Sequence, residues 1–326
     1  MKKYSLAGLL IFSFLLLQGQ TFDISRMDSL FLDISKNKKG MGSISLFERE
    51  KEIYQFNFGF ADLKNRIKPT ANTKYRIGSV TKMFTATIIM QLIAEGKFSL
   101  HSTIFTYFPE IPHTKQITIE QLLKHRSGLT DKKFQTWQRN GKDFKLTKKA
   151  EYANVNYGLL SVIAEKVTKT DFATLLRSRI FEPCNLNNTF YENLPDSIGG
   201  EAKSYVYANG WQPVDSGDLS FSAGAGAIIS NPTDINTFLF HLFSGKLVPQ
   251  NWLSQMKEIV DGYGSGMMQI HFWDKIAFSH AGQIEGFQSR AVFFPKEHFS
   301  VTYCFNGVAI PLDKILIAVL NIYFNM

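Results

Sequence analysis

The sequence predicts an α+β fold: a mostly antiparallel sheet flanked by N- and C-terminal helices, with a helical region inserted within it. Three observations carry that expectation. Short segments rich in β-formers lie near the start of the chain and again in its last third. Helical periodicities fill the middle. Helix patterns also lie at both ends, at 26–36 and 311–323.

Residues 1–20 stand apart. Lys2 and Lys3 precede an apolar run from Leu6 to Leu17, followed by Gln18-Gly19-Gln20. A charged start and an apolar stretch too short to span a bilayer make a secretory signal, with cleavage expected near Gln20. The cleavage site lacks a small-x-small pattern, so an uncleaved anchor is the alternative. No other stretch could cross a membrane, and no stable span is expected after cleavage. Residues 21–326 are then expected to form one domain, with the helical insertion at roughly 79–200.

Within 26–36, Met27, Leu30, Phe31 and Ile34 recur at helical spacing. Segments 42–49 and 53–60 alternate in the strand manner and meet at a charged turn, as in a hairpin. A strand-like run at 74–77 and Gly78 lead into the apolar segment 79–94, closed by Gly96. Thr118 opens a short helix with Gln121 at the capping-box position, ending near Gly128. Two more helices are expected at 156–167 and 172–180, the second stopped before Pro183. Asn231-Pro232 opens another, through His241, with Gly245 after it. Strands at 276–279, 289–294 and 299–305 follow, the last two joined across 295–298, and the helix over 311–323 ends the chain. The run Gly224 to Gly226 is a tight passage and not a phosphate loop. There is no internal repeat or low-complexity tract.

Composition excludes several classes. The chain of 326 residues is 44% apolar and 20% charged, with 29 phenylalanines, as a globular protein is. Its net charge of +8 falls to +6 without Lys2 and Lys3. Lys124, Arg126, Lys132, Lys133, Arg139, Lys142, Lys145, Lys148 and Lys149 concentrate the excess, against Asp131 and Asp143. Such a run is either a solvated loop, the reading preferred, or a basic rim that attracts an anionic envelope polymer or acidic substrate. It carries no nucleic-acid-binding motif, so no nucleic-acid partner is expected. Cys184 and Cys304 are either a pair or two separate buried thiols. The seven histidines show no ligand spacing, so neither a metal site nor a cofactor is expected.

Chemistry concentrates at Ser79-Val80-Thr81-Lys82. A serine at a helix start lies beside unpaired backbone N–H groups, and a lysine three residues on shares its face one turn away. Val80, Met83, Phe84, Ile88, Ile89, Leu92 and Ile93 surround the pair with apolar surface, so the helix is expected to be buried. Desolvation favours the neutral amine, and a neutral amine beside a hydroxyl is a base beside a nucleophile. That pairing implies covalent acyl transfer. Ser35/Lys38 and Ser254/Lys257 repeat the spacing, but only Ser79 follows a strand-like run and a glycine and opens a buried helix. A simple N-cap is the alternative role for Ser79.

Three further segments complete a pattern. They are His125-Arg126-Ser127-Gly128-Leu129, then Tyr152-Ala153-Asn154 with Asn156-Tyr157-Gly158, and His280-Ala281-Gly282 with Gly286-Phe287. With Tyr75 to Lys82 they resemble, in order, the serine β-lactamase and penicillin-binding-protein family, especially its class C and DD-peptidase branch. Tyr-x-Asn recurs at Tyr191, Tyr207 and Tyr323, but only Tyr152 is followed by Asn-Tyr-Gly-Leu-Leu and a helix.

The resemblance implies a β-lactamase/DD-peptidase-like fold and a set of roles. Ser79 would be the nucleophile and Lys82 its base or proton-relay partner. Tyr152 would exchange a proton with the serine or leaving group, its phenol lowered in pKa by nearby amines. Asn154 would bond Lys82 and a substrate amide, the alternative being a helix cap. His280 would line the site from an edge strand, followed by Gly282. The N–H groups of Ser79 and Gln283 would form the oxyanion hole. His125 is expected as scaffold beneath the Ser127-Gly128 turn.

Two departures matter. The family's third motif is commonly Lys-Thr-Gly or His-Thr-Gly, and here Ala281 lacks the hydroxyl while a histidine is mostly neutral near pH 7. Both changes weaken recognition of a carboxylate and point away from efficient β-lactamase activity. The segment between Leu129 and Tyr152 is short for the family, which implies an open cleft. The expected function is an exported, periplasmic or secreted serine hydrolase. It would act through an acyl-enzyme on a small-molecule or peptide substrate, cell-wall peptide included, as a peptidase or esterase. The alternatives are a class C-type β-lactamase, a non-catalytic member that binds peptidoglycan or a partner, and an oligomeric scaffold at the membrane should the signal remain.

Overall fold

A six-stranded antiparallel sheet with two unlike faces organises the molecule. The structure, a computed structural model, describes residues 22–326 apart from 142, 144, 148, 193–198, 216, 220 and 221. The expected signal at 1–20, and Lys142 and Lys148 of the basic run, lie outside the described residues.

The chain opens with α1 (Ile24–Lys36), whose N-cap Asp23 accepts a hydrogen bond from Arg26 N. The strands β1 (Gly40–Glu48) and β2 (Lys51–Phe58) pair as a hairpin. Arg49 and Glu50 both take positive φ, 49° and 66°, as a two-residue hairpin turn requires, although neither residue advertises it. After β3 (Tyr75–Arg76) and a 3-10 turn at Gly78–Val80 comes α2 (Thr81–Ala94), buried on nearly every side. The helix α3 (Ile119–Leu123) carries the capping box of Thr118 and Gln121. Next come α4 (Asp131–Asn140), α5 (Asn154–Thr168) and α6 (Phe172–Leu176), the last running into a wide turn at Arg177–Phe181.

Short strands β4 (Phe190–Tyr191), β5 (Ser204–Tyr207) and β6 (Trp211–Val214) precede the single turn α7 (Ala223–Gly226) and β7 (Ile228–Ser230). The helix α8 (Pro232–Phe243) is capped by Asn231, and α9 (Gln250–Met256) follows. Strands β8 (Met268–Phe272), β9 (Lys275–Ile284), β10 (Phe287–Phe294) and β11 (Phe299–Val308) lead to α10 (Leu312–Phe324). The main sheet runs β2-β1-β11-β10-β9-β8, while β3-β7-β4 and β5-β6 form two small sheets.

Successive side chains on each strand face opposite layers. Leu46, Val292 and Val301 stand in one cross-strand row and pack against α1 and α10, with Phe31, Val319 and Tyr323. One residue along, Ser45, Ala291 and Thr302 form the next row and face the helical region, whose core includes α2, α5 and α8. There Asn236 of α8 is fully engaged. Its amide nitrogen donates to Ser45 O and Oγ, and its oxygen accepts from Ser300 Oγ and Thr302 Oγ1, all within 3.1 Å.

Several expectations are corrected. The basic run is not a loop: Thr130 accepts from Lys133 N and starts α4 within it. The helix expected at 156–167 starts two residues earlier, so Asn154 lies inside it. The strand carrying His280 is not the sheet's edge, because β8 lies beyond it. β8, however, pairs only from Phe272↔Lys275 to Met268↔Ser279, so among the described residues the second half of β9 has no paired strand on that side. Cys184 and Cys304 are free, buried thiols. No helix among the described residues is long and apolar enough to cross a membrane.

Candidate active site

Backbone fixes one wall. Ile77 N donates to Ile228 O at 3.0 Å, and Ser289 Oγ donates to Ile77 O at 2.7 Å. Gly78 adopts φ +50°, and a Cβ there would lie 2.8 Å from Gln283 N. A Cβ on Gly282 would lie 1.9 Å from Ile77 O. Only glycines at both positions let the 77–79 segment lie against the unpaired half of β9. This contact brings Ser79 and the Gln283 backbone nitrogen to one place. Ser79 sits in the 3-10 turn, half-buried, and its side chain caps nothing, so the N-cap alternative is not what forms.

Lys82 lies one turn on and is 0% exposed. Its Nζ lies 2.9 Å from Ser79 Oγ, 2.8 Å from Asn154 Oδ1 and 2.8 Å from Ala225 O. Burial pulls its ammonium down from 10.5 to about 7, against the opposing pull of the Asp131 carboxylate. Asn154 Oδ1 and Ala225 O can only accept hydrogen bonds. A neutral amine has two N–H donors and one lone pair. With both donors on those oxygens, the lone pair is left for the Ser79 hydroxyl.

Asp131 holds this arrangement. Its Oδ2 accepts from Asn154 N at 3.2 Å and Asn154 Nδ2 at 3.4 Å, and its Oδ1 accepts from Val155 N at 2.8 Å. α5 has no cap of its own at Ala153, so Asp131 satisfies the first amides of that helix from α4. It also fixes which end of the Asn154 amide meets Lys82.

The Tyr152 phenol hydrogen-bonds with Ser79, and its ring lies 4.9 Å from Lys82 Nζ. The expected lowering of its pKa is corrected. Burial pushes the phenol up to about 12, and the Ser79 hydrogen bond pulls it only partly back. The ring is clamped rather than activated: His125 lies 4.4 Å away and Tyr263 6.3 Å away, centroid to centroid. His125 Nδ1 also accepts from Ala153 N at 3.2 Å, so the expected scaffold residue supports Tyr152 directly.

His280 is 4% exposed and lies 6.2 Å from the Tyr152 ring. Its Nδ1 donates to Ala281 O at 2.6 Å. Burial, then the neighbouring Lys82 charge, hold its pKa down at about 3, so this ring supplies no cation at neutral pH.

In front of Ser79 opens a cavity of about 750 Å³, walled by Asp131, Phe134, Asn154, Leu159, Gly226 and Gln283 among others. Sequence reasoning missed the structural role of Asp131 and the carbonyl of Ala225. Thr130 as an N-cap was the available signal for the first, while a backbone carbonyl leaves no trace in side-chain types. Among the described residues, no three His, Cys, Asp or Glu side chains gather as metal ligands do.

The arrangement has relatives. The chain is 30% identical over 224 residues, 63% of its length, to the teichoic acid D-alanine hydrolase of Staphylococcus aureus, and it spans 56% of that relative's length. The D-amino acid amidase from Ochrobactrum anthropi SV3, solved with L-phenylalanine amide, superposes with a TM-score of 0.82 at 26% identity, covering 93% of this chain and 98% of the amidase. The octameric penicillin-binding protein homologue from Pyrococcus abyssi shares the fold, with a TM-score of 0.79 at 22% identity over 93% of this chain and 78% of that one. The Beta-lactamase family model matches residues 36–319. The chain therefore belongs to the β-lactamase family, a family of β-lactamase-like serine hydrolases.

Proposed function

We propose that this chain is an exported serine hydrolase that cleaves an ester or amide through an acyl-enzyme on Ser79. The observation that carries the reading is the coordination of Lys82, whose two obligate acceptors leave its lone pair to the serine hydroxyl. Ser79 Oγ attacks the substrate carbonyl as its proton passes to Lys82 Nζ. The oxyanion is stabilised by the N–H groups of Ser79 and Gln283. The leaving group departs with a proton from Lys82, relayed through the Tyr152 phenol. A phenol held at about 12 stays protonated and acts as a relay rather than as the initial base. Water then attacks the ester, the same groups returning the proton to Ser79.

Peptidase or esterase action is favoured over efficient β-lactam hydrolysis. Neutral His280 and the methyl of Ala281 offer a substrate carboxylate neither charge nor hydroxyl. The names of the relatives suggest D-alanyl esters and D-amino acid amides as the first substrates to try. A cell-envelope setting and removal of residues 1–20 are part of the same proposal. Intact protein and Ser79→Ala are incubated with a fluorescent penicillin, D-alanyl esters and D-amino acid amides, then weighed by mass spectrometry. A covalent adduct on wild type alone is the expected result. Equal behaviour of the two proteins with every donor would leave a non-catalytic binding role instead.

A further inference from the structure

We infer that the cavity selects acyl donors carrying an unblocked α-ammonium group, and that Asp131 is the counter-charge that recognises it. The inference rests on the serine-hydrolase reading above and deepens it by naming the residue that recognises the acyl group's ammonium. Asp131 is the one charged side chain among the described residues lining the cavity. Its carboxylate offers about four acceptor positions. Asn154 N, Asn154 Nδ2 and Val155 N use three, two on Oδ2 and one on Oδ1, which leaves one position on Oδ1.

Among the described residues lining the cavity, no cationic side chain stands opposite that charge. His280 is neutral, and Lys82 is turned to Ser79, Asn154 and Ala225 behind the wall. Of the basic run, Arg126 pairs with Asp261 at 3.2 Å and Lys133 donates to Lys145 O. A cavity with one carboxylate repels an anionic donor and attracts a cationic one.

Position narrows the cation further. Asp131 is one hydrogen bond from Asn154, which is one from Lys82, which is one from the nucleophile. A charge held at Asp131 would therefore lie close to the scissile carbonyl, and the inference places it on the acyl half. Phe134, Leu159 and Val162 give the same wall an apolar surface. Together they fit an α-aminoacyl group with an apolar side chain, in ester or amide linkage.

The test compares phenylalanine p-nitroanilide with the p-nitroanilide of phenyllactic acid, in which a hydroxyl replaces the ammonium at nearly equal size. Both enantiomers are assayed near pH 7, where the amine is charged. Wild type is expected to favour the amine in kcat/KM by roughly tenfold or more, the scale of one charge-assisted hydrogen bond. Asp131→Asn should bring that ratio close to one, and Asp131→Glu should keep a preference. A loss of helix capping would slow both donors alike and leave the ratio unchanged, which would overturn the inference. So would equal turnover of both donors by wild type. If no donor acylates Ser79, the hydrolase reading falls and this inference falls with it. Binding of phenethylamine against 3-phenylpropionate to Ser79→Ala provides a second readout without turnover, with the amine expected to bind tighter.

Discussion

The two faces of the central sheet are built from the same strands and obey different physics. Toward α1 and α10, Leu46, Val292, Phe294, Phe299, Val301 and Tyr303 meet Phe31, Val319 and Tyr323 without a polar group between most of them. Toward the helical region, the alternate residues Ser43, Ser45, Ser289, Ser300 and Thr302 carry hydroxyls, all buried and most hydrogen-bonded to Asn57, Tyr75, Ile77 or Asn236. Burial of apolar area has no preferred direction, so the outer face stabilises the fold without fixing any atom finely. Hydrogen bonds do have direction, and they cluster on the face that carries Ser79. Apolar burial thus serves both sides, since Phe47, Phe287, Phe293 and Cys304 lie in the core on the helical side, while directional positioning is separated onto that side.

Mutations can break that separation if it is wrong. Ser79→Ala should reduce kcat by at least about 10³-fold while leaving the thermal midpoint near that of wild type. A large shift in the midpoint would mean that the serine also stabilises the fold. On the other face, Phe299→Ala removes a fully buried ring stacked at 3.6 Å on Tyr323. Denaturant unfolding should report a loss of about 3–5 kcal/mol, with KM unchanged in the folded fraction. Between the two lies Asn236→Leu, which leaves the hydroxyls of Ser300 and Thr302 without their acceptor. Its cost should be about 1–3 kcal/mol by the same measurement, with a fall in kcat if the polar network also sets the site.

The pH dependence sharpens the contrast further. The groups facing Lys82 are Ser79, Asn154 and Ala225 O by hydrogen bond, the rings of Tyr152 and Tyr157, and the titratable Asp131, His125 and His280. In the proposed mechanism the amine works when neutral, so kcat/KM for a donor without ionisable groups should climb toward a plateau above about pH 7. A flat profile from pH 5 to 8 would remove Lys82 as the base. Stability has its own window. His125 and His280 are held neutral to about 3, while an unfolded chain protonates its histidines near 6.5. Protons then bind the unfolded state more readily, so stability should fall as pH drops from about 6.5 toward 3, by a modest amount visible in chemical denaturation at several pH values.

How much of this could be read from residues alone follows the same division. The outer face was legible, because Met27, Phe31 and Ile34 repeat at helical spacing and the last strands are dense in β-formers. Ser79 and Lys82 were legible because three residues make one turn of helix. Their partners were harder to see. Asp131 acts across 23 residues on the start of α5, through a helix hidden by the lysines that surround it. Tyr152 was found as a motif, yet the direction of its pKa depends on His125 and Tyr263 closing over it, which no local pattern encodes.

Consider again the glycine at 282, where an added methyl would all but coincide with a neighbouring carbonyl oxygen. Two main chains touch there with nothing between them. The gap between Ser79 and the opposing strand is consequently a property of the polypeptide itself, insensitive to what decorates the rim. If the proposed reaction holds, loops and side chains around the mouth can be exchanged to suit a new acyl group without moving the backbone at its base.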